Sequence, residues 1–133
     1  MRPKPEDLLQ RAAEAAAYAY APYSNYAVGA AVLAEDGTVC TGANVENASY
    51  GLTLCAERSA VCTALGQGHR RFLAVAIVGP ETSAHLPYPC GACRQVLAEF
   101  CDHDCAIYAA LQSDLSSHER ITVGELLPRA FRL

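Results

Sequence analysis

Cys55-Ala56-Glu57 and, further along, Pro89-Cys90-Gly91-Ala92-Cys93 are the residues whose types and spacing can do chemistry. They supply three soft thiolate ligands, Cys55, Cys90 and Cys93, and one carboxylate, Glu57, that need not bind metal. That is the donor set of an open catalytic zinc site, with three protein ligands and a fourth tetrahedral position left for water. Zinc lowers the pKa of such a water from about 15.7 to about 7, which makes a nucleophile available at neutral pH. A nearby carboxylate can carry its protons. The expected chemistry is hydrolytic attack, with one Zn2+ per chain.

The spacing also says where these residues must sit. Cys90 and Cys93 are three apart, so on the first turn of a helix their sulfurs share a face, where the positive end of the helix dipole favours anions. Cys55 and Glu57 would diverge by about 200° inside a helix, so they converge on one ion only at a helix start. Two helix N-termini are expected to point at the metal. Three thiolates on a dication leave a net charge of about −1, and Arg58 and Arg94, each beside a motif residue, are placed to offset it by hydrogen bonding sulfur.

The elements that carry the motifs follow from periodicity. After Pro5, a favourable first-turn residue, Leu8, Leu9, Ala12, Ala13 and Ala16 recur at helical spacing until Pro22 stops the pattern. Residues 26–34 and 38–45 are strand-like runs joined at Glu35-Asp36-Gly37, a hairpin signal. Residues 54–65 predict a helix opening at the first motif, and 91–100 a second opening at the other. Residues 71–79 form a run apolar enough to be buried on both faces, and 105–111 predict a further strand. Thr122 to Glu125 has the form of a capping box ahead of a short helix ended by Pro128. The order predicts a three-layer α/β/α sandwich around a mixed five-stranded sheet, as one domain over residues 1–133.

Composition excludes several classes. No apolar run approaches the ~20 residues of a membrane span. The start, Met1 to Asp7, lacks the apolar segment of a secretory signal, so the seven cysteines are expected in a reducing cytoplasm. A formal charge of −4 with scattered basic residues gives no footprint for nucleic acid.

The chain resembles the small, homotetrameric, zinc-dependent cytidine deaminases of the cytidine and deoxycytidylate deaminase family. The resemblance runs from Tyr23-Ser24-Asn25-Tyr26 and Val28-Gly29-Ala30-Ala31 through residues 42–50 and both motifs to Glu125-Leu126-Leu127-Pro128 and Phe131. It implies hydrolytic deamination of cytidine and 2'-deoxycytidine to the uridines, with release of ammonia, in pyrimidine salvage. Cys55, Cys90 and Cys93 match the zinc ligands. Glu57 matches the catalytic carboxylate that moves protons from water to N3 and to the departing amine. Asn44 and Glu46 match groups that hydrogen-bond the ribose hydroxyls, and the backbone of Ala56 a contact to the pyrimidine carbonyl. Phe131 matches an aromatic that stacks on the base from a neighbouring subunit, and Tyr50 lies where subunits meet, so the resemblance implies a homotetramer with shared sites.

Two positions depart from the pattern. Tyr26 stands where the family usually has Phe, which gives the base pocket a hydroxyl that needs a partner or a water. Tyr88 precedes Pro89-Cys90 where Ser is common. The competing readings are a modified-cytosine deaminase of the blasticidin-antibiotic type, a nucleic-acid editing deaminase, a Cys-x-x-Cys redox pair, and a closed structural zinc site. The last needs a fourth ligand, but Cys62 and Cys101 fall at helical core spacing and, with Cys40 and Cys105 in strands, read as small buried hydrophobes. The four histidines fall in expected loops or loop edges.

Overall fold

A computed structural model describes residues 2–133; Met1, the first residue of the expected domain, lies outside them. Five strands, β1 (Gly29–Ala34), β2 (Val39–Ala43), β3 (Phe72–Gly79), β4 (Cys101–Leu111) and β5 (Asp114–Thr122), form one sheet in the order β2-β1-β3-β4-β5. The β3–β4 pair is parallel and the others antiparallel, so the sheet is mixed as expected.

Helix α1 (Pro5–Ala16) covers one face of the sheet, where Leu8, Leu9 and Ala12 pack on Ala31, Leu33, Ala74, Ala76 and Val78. On the other face, α2 (Ala56–Gly66), α3 (Gly91–Phe100) and α4 (Val123–Leu126) bury Ala60, Val61, Ala64, Leu97 and Val123 against Ala30, Val32, Val75, Ile77 and Ile107. Three layers result because successive residues of β1 and β3 feed opposite cores, which is why both strands read as continuous apolar runs.

Two close approaches set how the helices seat. At Gly29 a Cβ would lie 1.9 Å from the Ala12 carbonyl oxygen, and at Gly42 one would lie 2.4 Å from the Ala60 amide nitrogen. Only glycine lets α1 and α2 come this near the strands. The β1–β2 hairpin turns at Asp36-Gly37, with Gly37 at φ 93°.

Strands β1 and β2 are shorter than the expected runs 26–34 and 38–45, and two further boundaries are corrected. Helix α1 ends at Ala16 and not at Pro22, because the following segment pairs with the chain after β2: the Tyr20 amide donates to Asn44 O and the Glu46 amide to Tyr20 O. Strand β4 begins at Cys101 and not at Cys105, with the register slipping between Cys101 and Ala106 so that the polar Asp102-His103-Asp104 stands exposed. Cys62 is exposed, contrary to the expectation of a buried thiol, whereas Cys40, Cys101 and Cys105 are buried. His103 and His118 lie within β4 and β5 and not in loops.

Candidate active site

Cys55 is the residue immediately before α2, Cys90 the residue immediately before α3, and Cys93 the third residue of α3. Both helices therefore open at the sulfurs. The three Sγ atoms lie within 4.8 Å of one another, and Cys55 Sγ is 3.8 Å from Cys90 Sγ. Two thiolates sharing a tetrahedral zinc at about 2.3 Å each are separated by about 3.8 Å, so the spacing fits that ion. The donor set fits it too, being three thiols and no fourth ligand among the described residues.

The surroundings favour anionic sulfur. Arg58 donates from Nη2 to Cys55 Sγ at 3.4 Å, while its buried Nε has no hydrogen-bond partner among the described residues. Without metal the sulfurs share protons unequally: the Cys93 thiol and then Arg58 pull the Cys55 thiol well below its ordinary range, and Cys93 is correspondingly pushed up.

Arg94 corrects the expectation made for it. Its Nε donates to the Pro89 carbonyl at 2.7 Å and its Nη1 to the Leu126 carbonyl at 3.1 Å, and it bonds no cysteine sulfur among the described residues. It ties the turn that delivers Cys90 to the end of α4.

Glu57 follows Cys55 by two residues and lies at the start of α2, 5 % exposed, with burial raising its pKa to about 7. It lines a cavity of about 300 Å³ together with Cys55, Cys90, Ala56, Asn44 and Tyr26. The remaining wall is largely apolar, formed by Val28, Ile77, Leu86 and Pro87. Such a slot accepts a flat, partly polar ring.

Asn44 is buried and fixed by its own backbone neighbours: Oδ1 accepts from the Val28 amide at 2.9 Å, and Nδ2 donates to the Tyr26 carbonyl at 2.8 Å. A primary amide offers two donors and two acceptor lone pairs, so one of each remains available beyond these two bonds. Glu46 lines an adjoining cavity of about 340 Å³ with Tyr23, Ser24, Asn47 and Tyr50, and Thr53 lines both cavities. The Glu46 carboxylate accepts from the Ser24 hydroxyl and from the backbone amides of Ser24 and Tyr23, which hold its pKa below the usual carboxylate value. The hydroxyl that Tyr26 brings to the pocket has its partner: Ser83 Oγ, 3.0 Å away.

Phe131 stands apart from these groups. Its carbonyl accepts from Gln95 Nε2 at 2.9 Å, but the residue is 68 % exposed and lines neither cavity. Tyr50, on the short 3-10 turn Tyr50–Leu52, is likewise exposed. Tyr23, Ser24, Thr53 and the wall residues Leu86 and Pro87 carried no assignment from sequence. The signal for the wall was its place immediately ahead of Cys90; for Tyr23 and Ser24, only the pairing across to Glu46 reveals the role.

A three-sulfur metal cradle at two helix N-termini, with a buried carboxylate beside it, on a mixed sheet layered between helices, fits a metal-dependent hydrolase. The family model described as the cytidine and deoxycytidylate deaminase zinc-binding region matches residues 2–109, and the chain belongs to that family. It is 52 % identical over 125 residues to a cytidine deaminase of Halalkalibacterium halodurans, covering 93 % of this chain and 91 % of that protein. It is 50 % identical over 126 residues to a cytidine deaminase of Mycobacterium tuberculosis, covering 95 % of this chain and 88 % of that protein. The crystal structure of a Burkholderia pseudomallei cytidine deaminase superimposes with a TM-score of 0.87 at 44 % identity, covering 94 % of this chain and 97 % of that one.

Proposed function

We propose that the protein hydrolyses the exocyclic amine of cytidine and 2'-deoxycytidine, giving the uridines and ammonia in pyrimidine salvage. The observation that carries this is the meeting of Glu57 with the sulfurs of Cys55 and Cys90 in one cavity, in a chain about half identical to cytidine deaminases along nearly its whole length. The relatives do not favour the antibiotic-directed alternative.

Cys55, Cys90 and Cys93 would hold a zinc ion, which when bound would supply an acidified water as nucleophile. Arg58 neutralises part of the sulfur charge. Glu57 takes one proton from the attacking water and passes it to N3 of the pyrimidine. It then takes the proton of the new C4 hydroxyl and gives it to the amine, which leaves as ammonia as the C4–N bond breaks and the C4 carbonyl forms. Burial makes Glu57 readier to hold a proton than an exposed carboxylate, which suits a group that must both accept and return one. The Ala56 backbone meets the pyrimidine carbonyl. Asn44 and Glu46 take the ribose hydroxyls, a reading supported by the meeting at Thr53 of the two cavities they line.

Phe131 reaches the base of a neighbouring chain in a homotetramer. The exposure of Phe131, Tyr50, Leu52, Tyr18 and Tyr20 supports such an assembly, because a lone chain leaves these large side chains in water. No helix of the described residues is long and apolar enough to cross a membrane, and unpaired thiols suit the reducing cytoplasm.

Incubating the zinc-loaded protein with cytidine, deoxycytidine, free cytosine and a cytosine-containing oligonucleotide while measuring ammonia tests the reading. Both nucleosides are expected to turn over and the oligonucleotide not. Free cytosine is expected to be far poorer than cytidine, since the sugar contacts orient the reacting carbon. Equal kcat/KM for cytosine and cytidine, or unchanged cytidine turnover in Glu46→Ala, would remove the ribose assignments. Metal analysis of Cys90→Ala is expected to show zinc loss, and full retention would remove the ligand assignment.

A further inference from the structure

Tyr26 lines the cavity beside the apolar Val28, Ile77, Leu86 and Pro87, and the bond its hydroxyl makes has a defined direction. Ser83 Oγ has a single proton and commits it to the His85 carbonyl at 2.6 Å. It also receives the His85 amide at 3.3 Å, so toward Tyr26, 3.0 Å away, it acts as acceptor and the phenol donates. The Ser83 amide in turn donates to the Pro80 carbonyl at 3.0 Å. Ser83 is thus the node of the turn that follows β3.

The segment 80–89 runs from that turn to Cys90 and supplies Leu86, Pro87 and Tyr88 to the cavity wall. Its far end is anchored by Arg94 on the Pro89 carbonyl and by the Tyr88 hydroxyl on the Glu119 carboxylate. Its near half is joined to the facing wall through Tyr26. Gly79 makes room for the junction: a Cβ there would lie 3.2 Å from Pro87 and 3.3 Å from the Tyr26 hydroxyl.

Attack at the amine-bearing carbon requires that carbon to face Glu57 and the sulfurs. With that carbon facing the sulfurs and N3 toward Glu57, its remaining neighbours, the exocyclic amine and C5, would lie beside the chain that leads into Cys90. We propose that the Tyr26–Ser83 bond is a latch that fixes this wall and so sets how much bulk the enzyme accepts on the amine and on C5 of the pyrimidine. Tyr26 acts here through its hydroxyl as a positioning residue, and Ser83 likewise. The inference rests on the cytidine reading above.

The test compares kcat/KM for cytidine, 5-methylcytidine and N4-methylcytidine in the wild type, Tyr26→Phe, Ser83→Ala, the double variant and Ser83→Thr, with thermal melts of each. Each single variant is expected to raise the ratio of substituted to unsubstituted substrate by about threefold to tenfold, the worth of one hydrogen bond. The double variant is expected to add nothing further, since one bond is lost once. Ser83→Thr keeps the hydroxyl and is expected to keep the wild-type ratio.

Ratios within about twofold of wild type in both single variants would overturn the latch, even if the melts fall. Additive effects in the double variant would overturn it as well. A wild-type enzyme that releases no ammonia from cytidine would overturn the substrate reading and the latch with it, whereas unchanged ratios on an active enzyme would overturn the latch alone.

Discussion

Glu57 is 5 % exposed and has no ion-pair partner among the described residues, so the fold bears a cost for keeping a carboxyl there. Glu57→Gln keeps size and polarity but carries no proton. It is expected to retain zinc and assembly while kcat falls by at least about 10²–10⁴-fold, read from steady-state kinetics together with metal content. Near-normal kcat would refute the proton role, and zinc loss would recast the residue as a ligand. The same carboxyl makes a stability prediction for chelated, zinc-free protein. Its pKa rises from 4.5 to about 7 on folding, so the folded state binds the proton more tightly. Stability is then lost as pH rises between those values, and the full penalty is present above about 7. Glu57→Gln removes the penalty, so its gain in Tm over wild type should be larger at about pH 8 than at about pH 4.5. Equal gains at both pH values would count against a buried, charge-averse carboxyl. The sequence disclosed Glu57 and the three cysteines because their types and spacing are themselves the chemistry. Arg94 was misread because adjacency to Cys93 does not say which way a guanidinium turns, and Pro89 O and Leu126 O offered it carbonyls within reach.

The elements matter to the site chiefly through where α2 and α3 begin. Helix α2 is held against β2 at Gly42, where an added methyl would meet backbone atoms of Ser59 and Ala60 and no flexible side-chain end could yield enough to relieve both. Gly42→Ala must therefore push α2 off the sheet, at about 1–3 kcal/mol. Because Cys55 and Glu57 lie at the start of that helix, the variant is expected to lose zinc affinity and kcat along with Tm. A lowered Tm with unchanged zinc content and turnover would show that the start of α2 is seated independently of Gly42. Helix α3 was legible to the residue, since a metal motif opens it and Phe100 closes its apolar face. The end of α1 was not, because an alanine-rich period persists past the point where Tyr20 finds a strand-like partner in Asn44 and Glu46. Strand β5 was hard to see for a different reason: it is an edge strand with mostly polar, solvent-facing residues, and carries little of the alternation that betrays a half-buried strand.

At the scale of the whole molecule, hydrophobic pattern cannot separate residues that fill a chain's own core from residues that wait for another chain. Tyr50, Leu52 and Phe131 are 77 %, 70 % and 68 % exposed, although each would pass in sequence as a packing residue. The C-terminal segment that carries Phe131 is itself well held, by Gln95 on the Phe131 carbonyl and by the Thr122–Glu125 capping box that opens α4. A fixed backbone under an exposed ring is an arrangement for presenting that ring to something outside the chain. If the recipient is the base pocket of a neighbouring copy, the assembly and the site stand or fall together. Light scattering is expected to give the mass of four chains. Phe131→Ala should keep that mass and raise KM more than it lowers kcat, because ring stacking holds substrate and transition state alike. Tyr50→Ala combined with Leu52→Ala acts on the contact surface instead, and should shift the protein to smaller species whose activity falls in parallel with the loss of mass. A single chain with full activity, or Phe131→Ala with unaltered KM, would show that each site is complete within its own chain.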